Sequence, residues 1–296
     1  MSIALSTPVA IAPAPFGISH ADKVLLMGSC FTDNIGERLQ QAGFDVLCNP
    51  FGVLYNPLSI ATCLLRSATG DTLHDDDLVF HDGMWHSWLH HSRFSATERE
   101  ECMARCNASL NKTRQFLTIC NTIIITLGTA FVYHLISNPD APSECSTQRP
   151  VVANCHRVPA EHFERRLASI EQCMAALESM PFEGKRVILT ISPIRHLADG
   201  AHGNQISKAT LLLASERYLN NRTNAYYFPA YELLLDEMRD YRFYDTDMTH
   251  PSSLAVDIIW QRFQDTFFSS VTQNQCRIAE KDYRRHQHRP IANSKL

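Results

Sequence analysis

A cysteine and an aspartate–histidine pair are the side chains of this sequence best suited to nucleophilic chemistry. Cys30 follows Gly28 and Ser29, between the apolar run KVLLM and an amphipathic segment. A residue on a turn from a parallel strand into a helix faces the crevice in which open α/β sheets bind ligands. The helix N-terminus would stabilise a thiolate there, and later an oxyanion, and glycine permits the tight turn. A cysteine that merely packs at such a junction is the alternative.

The second chemical feature is Asp247, three residues before His250. A carboxylate at this spacing can accept a hydrogen bond from Nδ1–H of the imidazole, fix its tautomer and leave Nε2 free as a base. Pro251, at the start of the next helix, would hold the loop that carries the pair. The alternative is an aspartate cap beside a surface histidine. Neither this pair nor Cys30 is by itself enough to predict an active site.

Two further polar regions deserve weighing against structural roles. The segment SPIRH follows an expected strand at 186–191, so it should also reach the carboxyl edge of the sheet. Arg195 could bind an anionic substrate group and His196 could line the pocket, or both could belong to a loop whose polar groups satisfy one another. The histidines and tryptophans at 85–91 either shape a substrate pocket or hold a long insertion in place, and we favour the second interpretation.

The elements that must position these residues alternate between short apolar runs and longer amphipathic segments. This alternation predicts a three-layer α/β/α fold with a central, mostly parallel sheet. The expected strands are 23–27, 45–48, 122–127, 186–191 and 225–228, with the β-branched run TIIITL in the centre. The expected helices are 32–42, 58–66, 96–116, 161–180, 207–218, 230–239 and 252–270.

Length and composition are those of an ordinary globular protein, with 296 residues of which 45% are hydrophobic. We expect a single α/β domain over residues 1–276, with an irregular insertion near 70–95, and a flexible basic tail over 277–296. The net charge of -4 gives no indication of a nucleic-acid-binding face. No apolar run approaches about 18 residues, so no membrane span is expected.

The ten cysteines are irregularly spaced in a chain too long to need a disulfide framework. Their apolar contexts are typical of buried thiols in the reducing cytosol, and no zinc-finger spacing recurs, so we expect no metal site. The N-terminus has no basic opening and its apolar stretch is broken by prolines, which argues against a signal peptide. These features predict a cytoplasmic protein.

Several motifs together resemble the GSCFA family, over about residues 15 to 270. They are GSCFTDNIG, NPFGVLYNP, TLGTAFVY, NCHRVP, SPIRH and YFPAYELLLDEMRDYRFYDTDMTHPS. That family is grouped with the SGNH (GDSL-type) hydrolases. The resemblance implies the flavodoxin-like fold of SGNH hydrolases and an acyl hydrolase or acyltransferase activity that requires no cofactor.

The resemblance also implies a role for each matching position. Cys30 stands where the first block has its nucleophilic serine, and Ser29 stands where it has an aspartate. Gly52 matches the glycine of the second block, whose N–H points into the oxyanion hole. Gly128 matches the glycine of the third block, and Ala130 stands where that block has an asparagine. The aspartate–histidine pair matches the final block.

Ala130 cannot donate a side-chain hydrogen bond, and loss of one oxyanion donor typically costs about a hundred- to a thousand-fold in rate. Another donor is therefore expected, or catalysis is weak. Asn154 is our preferred substitute, because its polar loop follows the central strand region. Asn56 and Thr129 are the alternatives.

The leading hypothesis is an acyl hydrolase or acyltransferase in which Cys30 attacks the acyl carbon, His250 is the base and Asp247 orients it. The expected substrate is an ester of a carbohydrate or small metabolite. Attack by Ser29, or no covalent role for either residue, remains open. A catalytically weak or inactive ligand-binding protein on the same fold is the rival hypothesis, and a thiol-based redox sensor is the third. Oligomeric state and the choice between hydrolysis and transfer are left open.

Overall fold

The computed structural model describes residues 7–136, 150–153 and 158–287 of the chain. The strands in this part are β1 (Lys23–Gly28), β2 (Asp45–Cys48), β3 (Leu78–His81), β4 (Met84–Ser87), β5 (Thr122–Leu127), β6 (Phe131–Leu135), β7 (Val151–Val152), β8 (Phe163–Leu167), β9 (Arg186–Ile191) and β10 (Ala225–Tyr227). The helices are α1 (Cys30–Gln41), α2 (Pro57–Thr69), α3 (Arg99–Ile119), α4 (Ile170–Ser179), α5 (Gly200–Leu219), α6 (Ala230–Glu232), α7 (Ser253–Phe267) and α8 (Ser270–Gln287).

Five parallel strands form the central sheet, in the spatial order β10–β9–β5–β1–β2. Helices cover both faces, which confirms the predicted three-layer α/β/α fold. Successive side chains of a strand point to opposite faces, so each strand contributes to two cores. In β1, Leu25 and Met27 pack with the layer of α2 to α5, whereas Val24 and Leu26 pack with α1, α7 and α8. Strand β5 is buried along its whole length at the sheet centre, as its apolar run predicts.

The strand order determines where a ligand can bind. The chain passes from β1 to its neighbour β2 on one side and then crosses to β5 on the other side. This reversal is the switch point of a flavodoxin-like sheet, where the crevice opens at the carboxyl ends of the strands. The residues after β1 and the residues after β5 therefore meet at one edge, and β9 ends beside them.

The structure differs from the sequence-based expectation in the region after β5. A helix was expected over 161–180, but Phe163–Leu167 pairs antiparallel with β6, and the helix begins only at Ile170. The reason lies in a capping box, in which Ser169 accepts the N–H of Gln172 and the Gln172 side chain accepts the N–H of Ser169. Strand β7 completes this small three-stranded sheet, and β3 and β4 form a hairpin inside the expected insertion.

The C-terminal segment also differs from expectation. A flexible tail was expected from residue 277, but α8 continues to Gln287, and residues 288–296 lie outside the described part of the chain. Thr272 and Cys276, one turn apart, are buried, which attaches the helix to the core beside α1. The expected helix at 230–239 is short, because α6 passes into a π-helical turn, Leu233–Glu237. Within the described ranges, every helix is too short or too polar to span a bilayer.

His90 is a buried structural residue of the insertion. Its ring lies edge-on to Phe51 and Phe94, at centroid distances of 5.3 Å and 5.0 Å. Its Nδ1 lies 3.0 Å from the hydroxyl of Ser87. Burial lowers the pKa of His90 to about 3, so its imidazole is neutral in the folded protein near pH 7.

Because the unfolded chain binds a proton at residue 90 near pH 6.5 and the folded chain does not, acid must destabilise the fold through His90. Below pH 6.5 this residue should lower the free energy of unfolding by about 1.4 kcal/mol for each pH unit. We expect urea titrations between pH 7 and pH 4.5 to show a shallower pH dependence for His90→Gln than for wild type. The exposed His74, changed to Gln, serves as control. Parallel pH profiles for wild type and His90→Gln would contradict the prediction.

Candidate active site

Cys30 occupies the first position of α1, directly beyond the carboxyl end of β1. The turn that places it there needs glycine at position 28, because φ is +148° and a Cβ would overlap the carbonyl oxygen of Thr126 in β5. Ser29 is extended, with φ −68° and ψ 174°, and forms the N-cap of α1. The sulfur therefore lies at the positive end of a helix dipole, which favours a thiolate.

His250 faces Cys30 across the crevice. The distance from Sγ to Nε2 is 3.4 Å. On the other side of the ring, Nδ1–H donates to Oδ2 of Asp247 at 2.5 Å. The second oxygen of Asp247 accepts the backbone N–H groups of Thr249 and His250, both at 2.9 Å. These hydrogen bonds hold the pKa of Asp247 well below its usual range, so the carboxylate stays ionised and keeps Nε2 directed at the sulfur.

The loop that carries the pair is closed on itself. The N–H of Asp245 donates to the carbonyl of His250 at 2.8 Å, and Met248 adopts a left-handed conformation with φ +57°. A further bond reaches the loop after β9, where the N–H of Arg195 donates to the carbonyl of Thr249 at 3.2 Å. The loop that carries Asp247 and His250 is thus fixed both by hydrogen bonds within its own turn and by a hydrogen bond to the loop after β9.

A cavity of about 280 Å³ opens above the sulfur, and we refer to it as the Cys30 cavity. The lining residues that the sequence predicted as site residues are Ser29, Cys30, Gly128, Arg195, His196 and His250. Tyr55, Thr129, Ser192 and Ile194 complete the lining. Among the described lining residues one carries a guanidinium, two carry imidazoles and none carries a carboxylate, so a thiolate at Cys30 is the anionic group that this lining can supply.

Ser29 lines the bottom of the cavity, where its side chain helps to hold two strand ends together. It is buried, and its hydroxyl donates to the hydroxyl of Ser192 at 3.0 Å. Ser192 follows β9, so this bond joins the ends of two strands that are not neighbours. Among the described residues, the Ser29 hydroxyl contacts no imidazole that could take its proton, whereas the sulfur of Cys30 contacts that of His250.

The N–H groups of Gly52 and Gly128, which were predicted to contribute to oxyanion or substrate binding, are already bonded, and so is the N–H of Ala130. The N–H of Gly52 is bonded to the carbonyl of Asn49 at 2.8 Å, because the left-handed Gly52, with φ +79°, closes a tight turn. Gly52 is also absent from the lining of the cavity. The N–H of Ala130 donates to the hydroxyl of Ser207 at 2.8 Å. The N–H of Gly128 donates to the carbonyl of Tyr55 at 2.7 Å.

The proposed replacements for the missing asparagine are distributed differently. Asn154 lies outside the described residues. Asn56 is the N-cap of α2, where its Oδ1 accepts the N–H of Ser59 at 2.7 Å. Thr129 lines the cavity, but its Oγ1 lies 3.0 Å from the hydroxyl of Ser207 and accepts the N–H of Phe131. Of the two described candidates, Asn56 is therefore a helix cap and Thr129 borders the cavity.

Lys208 is a residue that sequence reasoning missed. Its side chain is 1% exposed, and its ammonium donates to the carbonyls of Gly128 and Ser192, at 2.7 Å and 2.8 Å. It thereby joins the ends of β5 and β9 under the Cys30 cavity. Burial lowers the pKa of Lys208 to about 7, and a negative charge on Cys30 opposes that shift. The available signal was a lysine on the apolar stripe of α5, three residues before the buried Leu211.

His196 presents a second imidazole to the cavity. Its Nδ1 lies 2.8 Å from Oδ2 of Asp199, whose other oxygen holds the guanidinium of Arg165 at 2.5 Å. Burial and the nearby Lys208 lower the pKa of His196, so the ring is neutral near pH 7. Its Nε2 is buried without a hydrogen-bond partner among the described residues. The alternative of a fully satisfied loop therefore does not hold for this side chain.

The Lys208 geometry yields a test of its influence on the sulfur. Since a thiolate at Cys30 raises the pKa of Lys208, the ammonium must favour the thiolate to the same extent. We expect Lys208→Met and Lys208→Gln to shift the pH midpoint of Cys30 alkylation upward by about one pH unit. Peptide mapping by mass spectrometry measures the rate at each pH.

Lys185→Met is the matched control for this experiment. Lys185 also donates to two carbonyls, those of Leu117 and Cys120, but at the opposite edge of the sheet. Its removal should leave the alkylation midpoint of Cys30 in place. An unchanged midpoint in folded Lys208 variants, with circular dichroism like that of wild type, would show that the ammonium does not act on the sulfur.

The central sheet and the Cys30 cavity lie within a segment that matches a known protein family. The model of the GSCFA family matches residues 23–263, which run from the start of β1 into α7 and include every described site residue. Neither the curated proteins nor the solved structures contain a match to the chain. Since the matched segment is well over half of the sequence, the chain belongs to the GSCFA family.

Proposed function

We propose that this protein is an acyl hydrolase or acyltransferase of the SGNH type with Cys30 as its nucleophile. The observation that carries the proposal is the 3.4 Å approach of Cys30 Sγ to His250 Nε2, with Nδ1 of the same ring held by Asp247. A nucleophile, a base and a group that orients the base are the three parts of a catalytic triad. Their chain order, after the first strand and before a late helix, is that of the SGNH hydrolases.

Cys30 is a better candidate than Ser29 on three grounds. It lines the cavity at a helix N-terminus, it contacts the imidazole, and a buried ammonium lies beneath it. A serine hydroxyl would need full deprotonation by His250, whereas a thiol ionises near neutral pH and is intrinsically nucleophilic. The Ser29 hydroxyl is already engaged with Ser192.

The proposed reaction has two steps. In the first, the thiolate of Cys30 adds to the acyl carbon, the bond from that carbon to the leaving oxygen breaks, and the protonated Nε2 of His250 gives its proton to that oxygen. The product is a thioester on Cys30. In the second, water or an alcohol gives a proton to Nε2 and attacks the thioester carbon, and the sulfur leaves as a thiolate that the imidazolium stabilises. Neither step consumes a cofactor.

Oxyanion stabilisation falls to the N-terminal turn of α1. The positive end of a helix dipole stabilises a negative charge placed beside it. Helix α1 begins at Cys30, so its dipole acts next to the carbon under attack, although the N–H of Thr32 in this turn is already bonded to the carbonyl of Ser29 at 2.8 Å. Because Gly52 and Ala130 contribute no donor, this end of the helix carries more of the negative charge than in enzymes with three donors.

The substrate we propose is a small-molecule or carbohydrate ester. The Cys30 cavity, at about 280 Å³, accommodates an acyl group with part of its leaving group. Within the described residues none of eight cysteines forms a disulfide, which fits a reducing compartment and the cytoplasmic location expected from sequence.

A second candidate function is ligand binding without turnover. The observation that favours it is the engagement of Gly52 and Ala130, which leaves two of the three usual oxyanion positions without a donor. A protein of this kind would bind an ester in the same cavity and leave Cys30 unmodified.

Acylation of Cys30 separates the two functions. We expect a brief exposure to an activated acetate ester at neutral pH to add one acetyl group to Cys30, faster than to any other of the ten cysteines. Cys30→Ala should abolish the adduct, and His250→Ala should slow its formation by about a hundred-fold or more. Intact mass and peptide mapping measure the adduct, and neutral hydroxylamine should remove it. Labelling of Cys30 no faster than of the other cysteines would favour the binding protein.

The orienting role of Asp247 can be tested separately. In Asp247→Asn an amide replaces the anionic acceptor at Nδ1, so the ring loses its preference for the tautomer that directs a basic Nε2 at the sulfur. We expect acylation of Cys30 to slow by about a hundred-fold or more, with an unchanged circular dichroism spectrum. Asp245→Asn, in the same loop, is the control, because Asp245 bonds Thr246 rather than the imidazole. Equal rates for the two variants would refute the orienting role.

A further inference from the structure

Arg195 stands where two cavities meet. It lines the Cys30 cavity and also an adjoining cavity of about 290 Å³. The apolar and aromatic part of the adjoining lining comes from Leu197, Tyr231, Leu235 and Tyr244. A substrate that reached from the sulfur into the second cavity would therefore pass the guanidinium.

The guanidinium is held in place without a carboxylate. Its Cζ lies 4.3 Å from the ring centroid of Tyr244, and the residue is anchored through its backbone N–H to Thr249. Among the described residues the neighbouring arginines Arg165 and Arg239 each bind a carboxylate, whereas Arg195 forms no ion pair. The Arg195 side chain also hydrogen-bonds the Tyr244 side chain, and its remaining guanidinium N–H groups can bind the oxygens of an anion.

The fixed charges in the two cavities beside Arg195 favour an anion. Among the described residues, no aspartate or glutamate lines either of them, and Asp240, which lines a third cavity next to Arg195, is bound by Arg242. His196 and His250 share the first cavity with Arg195, and the ammonium of Lys208 lies below it. The nearest acidic groups on these loops are already engaged, Asp247 by His250 and its backbone, and the carboxylate on the 3₁₀ turn 197–199 by a histidine and an arginine. The site is thus a positive region in a chain whose net charge is -4.

We propose that Arg195 binds a negatively charged group of the substrate, a carboxylate or a phosphate, so that this protein acts on anionic esters. This inference rests on the proposed function for the identity of the reacting group, but binding of the anion does not require turnover. The aliphatic part of such a substrate would lie on Ile194 and Leu197, on either side of the guanidinium.

Charge-matched alkylation of Cys30 tests the anion site without acyl chemistry. Iodoacetate and iodoacetamide both form a bond from sulfur to carbon and release iodide, and they differ chiefly in the charge of the group next to the reacting carbon. We expect the rate ratio of iodoacetate to iodoacetamide at Cys30 to fall about ten-fold in Arg195→Met. Arg195→Lys, which keeps the positive charge, should retain part of the ratio.

Arg239→Met is the control variant. Arg239 lines a cavity that also borders Arg195, but it is exposed and bound to Asp236. Its ratio should equal that of wild type. A ratio that is the same in wild type and in folded Arg195→Met would overturn the proposal, because both reagents would then reach the sulfur without meeting a positive charge from this residue.

A series of activated acyl donors identifies where the negative charge belongs. Para-nitrophenyl acetate is neutral, the para-nitrophenyl monoester of glutarate carries a carboxylate on its acyl group, and acetyl phosphate carries a phosphate as leaving group. In wild type, we expect one of the two anionic donors to acylate Cys30 faster than the neutral ester does. The ratio of these two acylation rates should be about ten-fold lower in Arg195→Met. The faster donor distinguishes an acyl carboxylate from a phosphate leaving group.

The two experiments separate failure of this inference from failure of the proposed function. If no donor acylates Cys30 while the alkylation ratio depends on Arg195, the acyl-transfer function fails and the anion site stands. If donors acylate Cys30 at relative rates that Arg195→Met does not change, the function stands and the anion site fails.

Discussion

Nothing larger than hydrogen fits on the α-carbon of residue 28, because the carbonyl of Thr126 in the adjacent strand occupies the place of a Cβ. This close approach lets β1 end hard against β5 and turn at once into α1. The turn places Cys30 at the helix N-terminus and directs it into the crevice at the switch point. An alanine at position 28 would force β1 away from β5, and the sulfur would move relative to the loop of His250. The geometry of the site therefore begins with one glycine.

A second constraint is the charge that the fold encloses at Lys208. An ammonium without water is costly unless its protons are bonded, and here two carbonyls, at Gly128 and Ser192, accept them. The same contacts join β5 to β9 and shape the floor of the Cys30 cavity. Lys208 therefore both joins the two strands and favours a thiolate at Cys30. A neutral residue at this position could still join the strands, but it could not favour the thiolate.

Most of the sheet could be predicted from sequence, because β5 and β9 are unbroken apolar runs of strand length. The pairing of Cys30 with His250 was also predicted, from the resemblance of their motifs and of the order of these motifs to those of a known family. Strand β8 was not, since FERRL continues the helical spacing of apolar residues that follows it. Lys208 was missed because its burial on one face of α5 is visible only in the folded chain. Gly52 was assigned a free N–H because the turn that uses this N–H is likewise visible only in the folded chain.

The aspartate–histidine pair lies at the rim of the crevice rather than on its floor, with His250 45% exposed and Asp247 47% exposed. The ring can therefore exchange protons with bulk water directly, and the protein does not need a relay of internal water or side chains to reset it. In contrast, Lys208 is enclosed, with a side chain only 1% exposed, and its ammonium is shielded from bulk water. The rate at which His250 exchanges protons should consequently depend on the buffer, as it does for an imidazole on a protein surface.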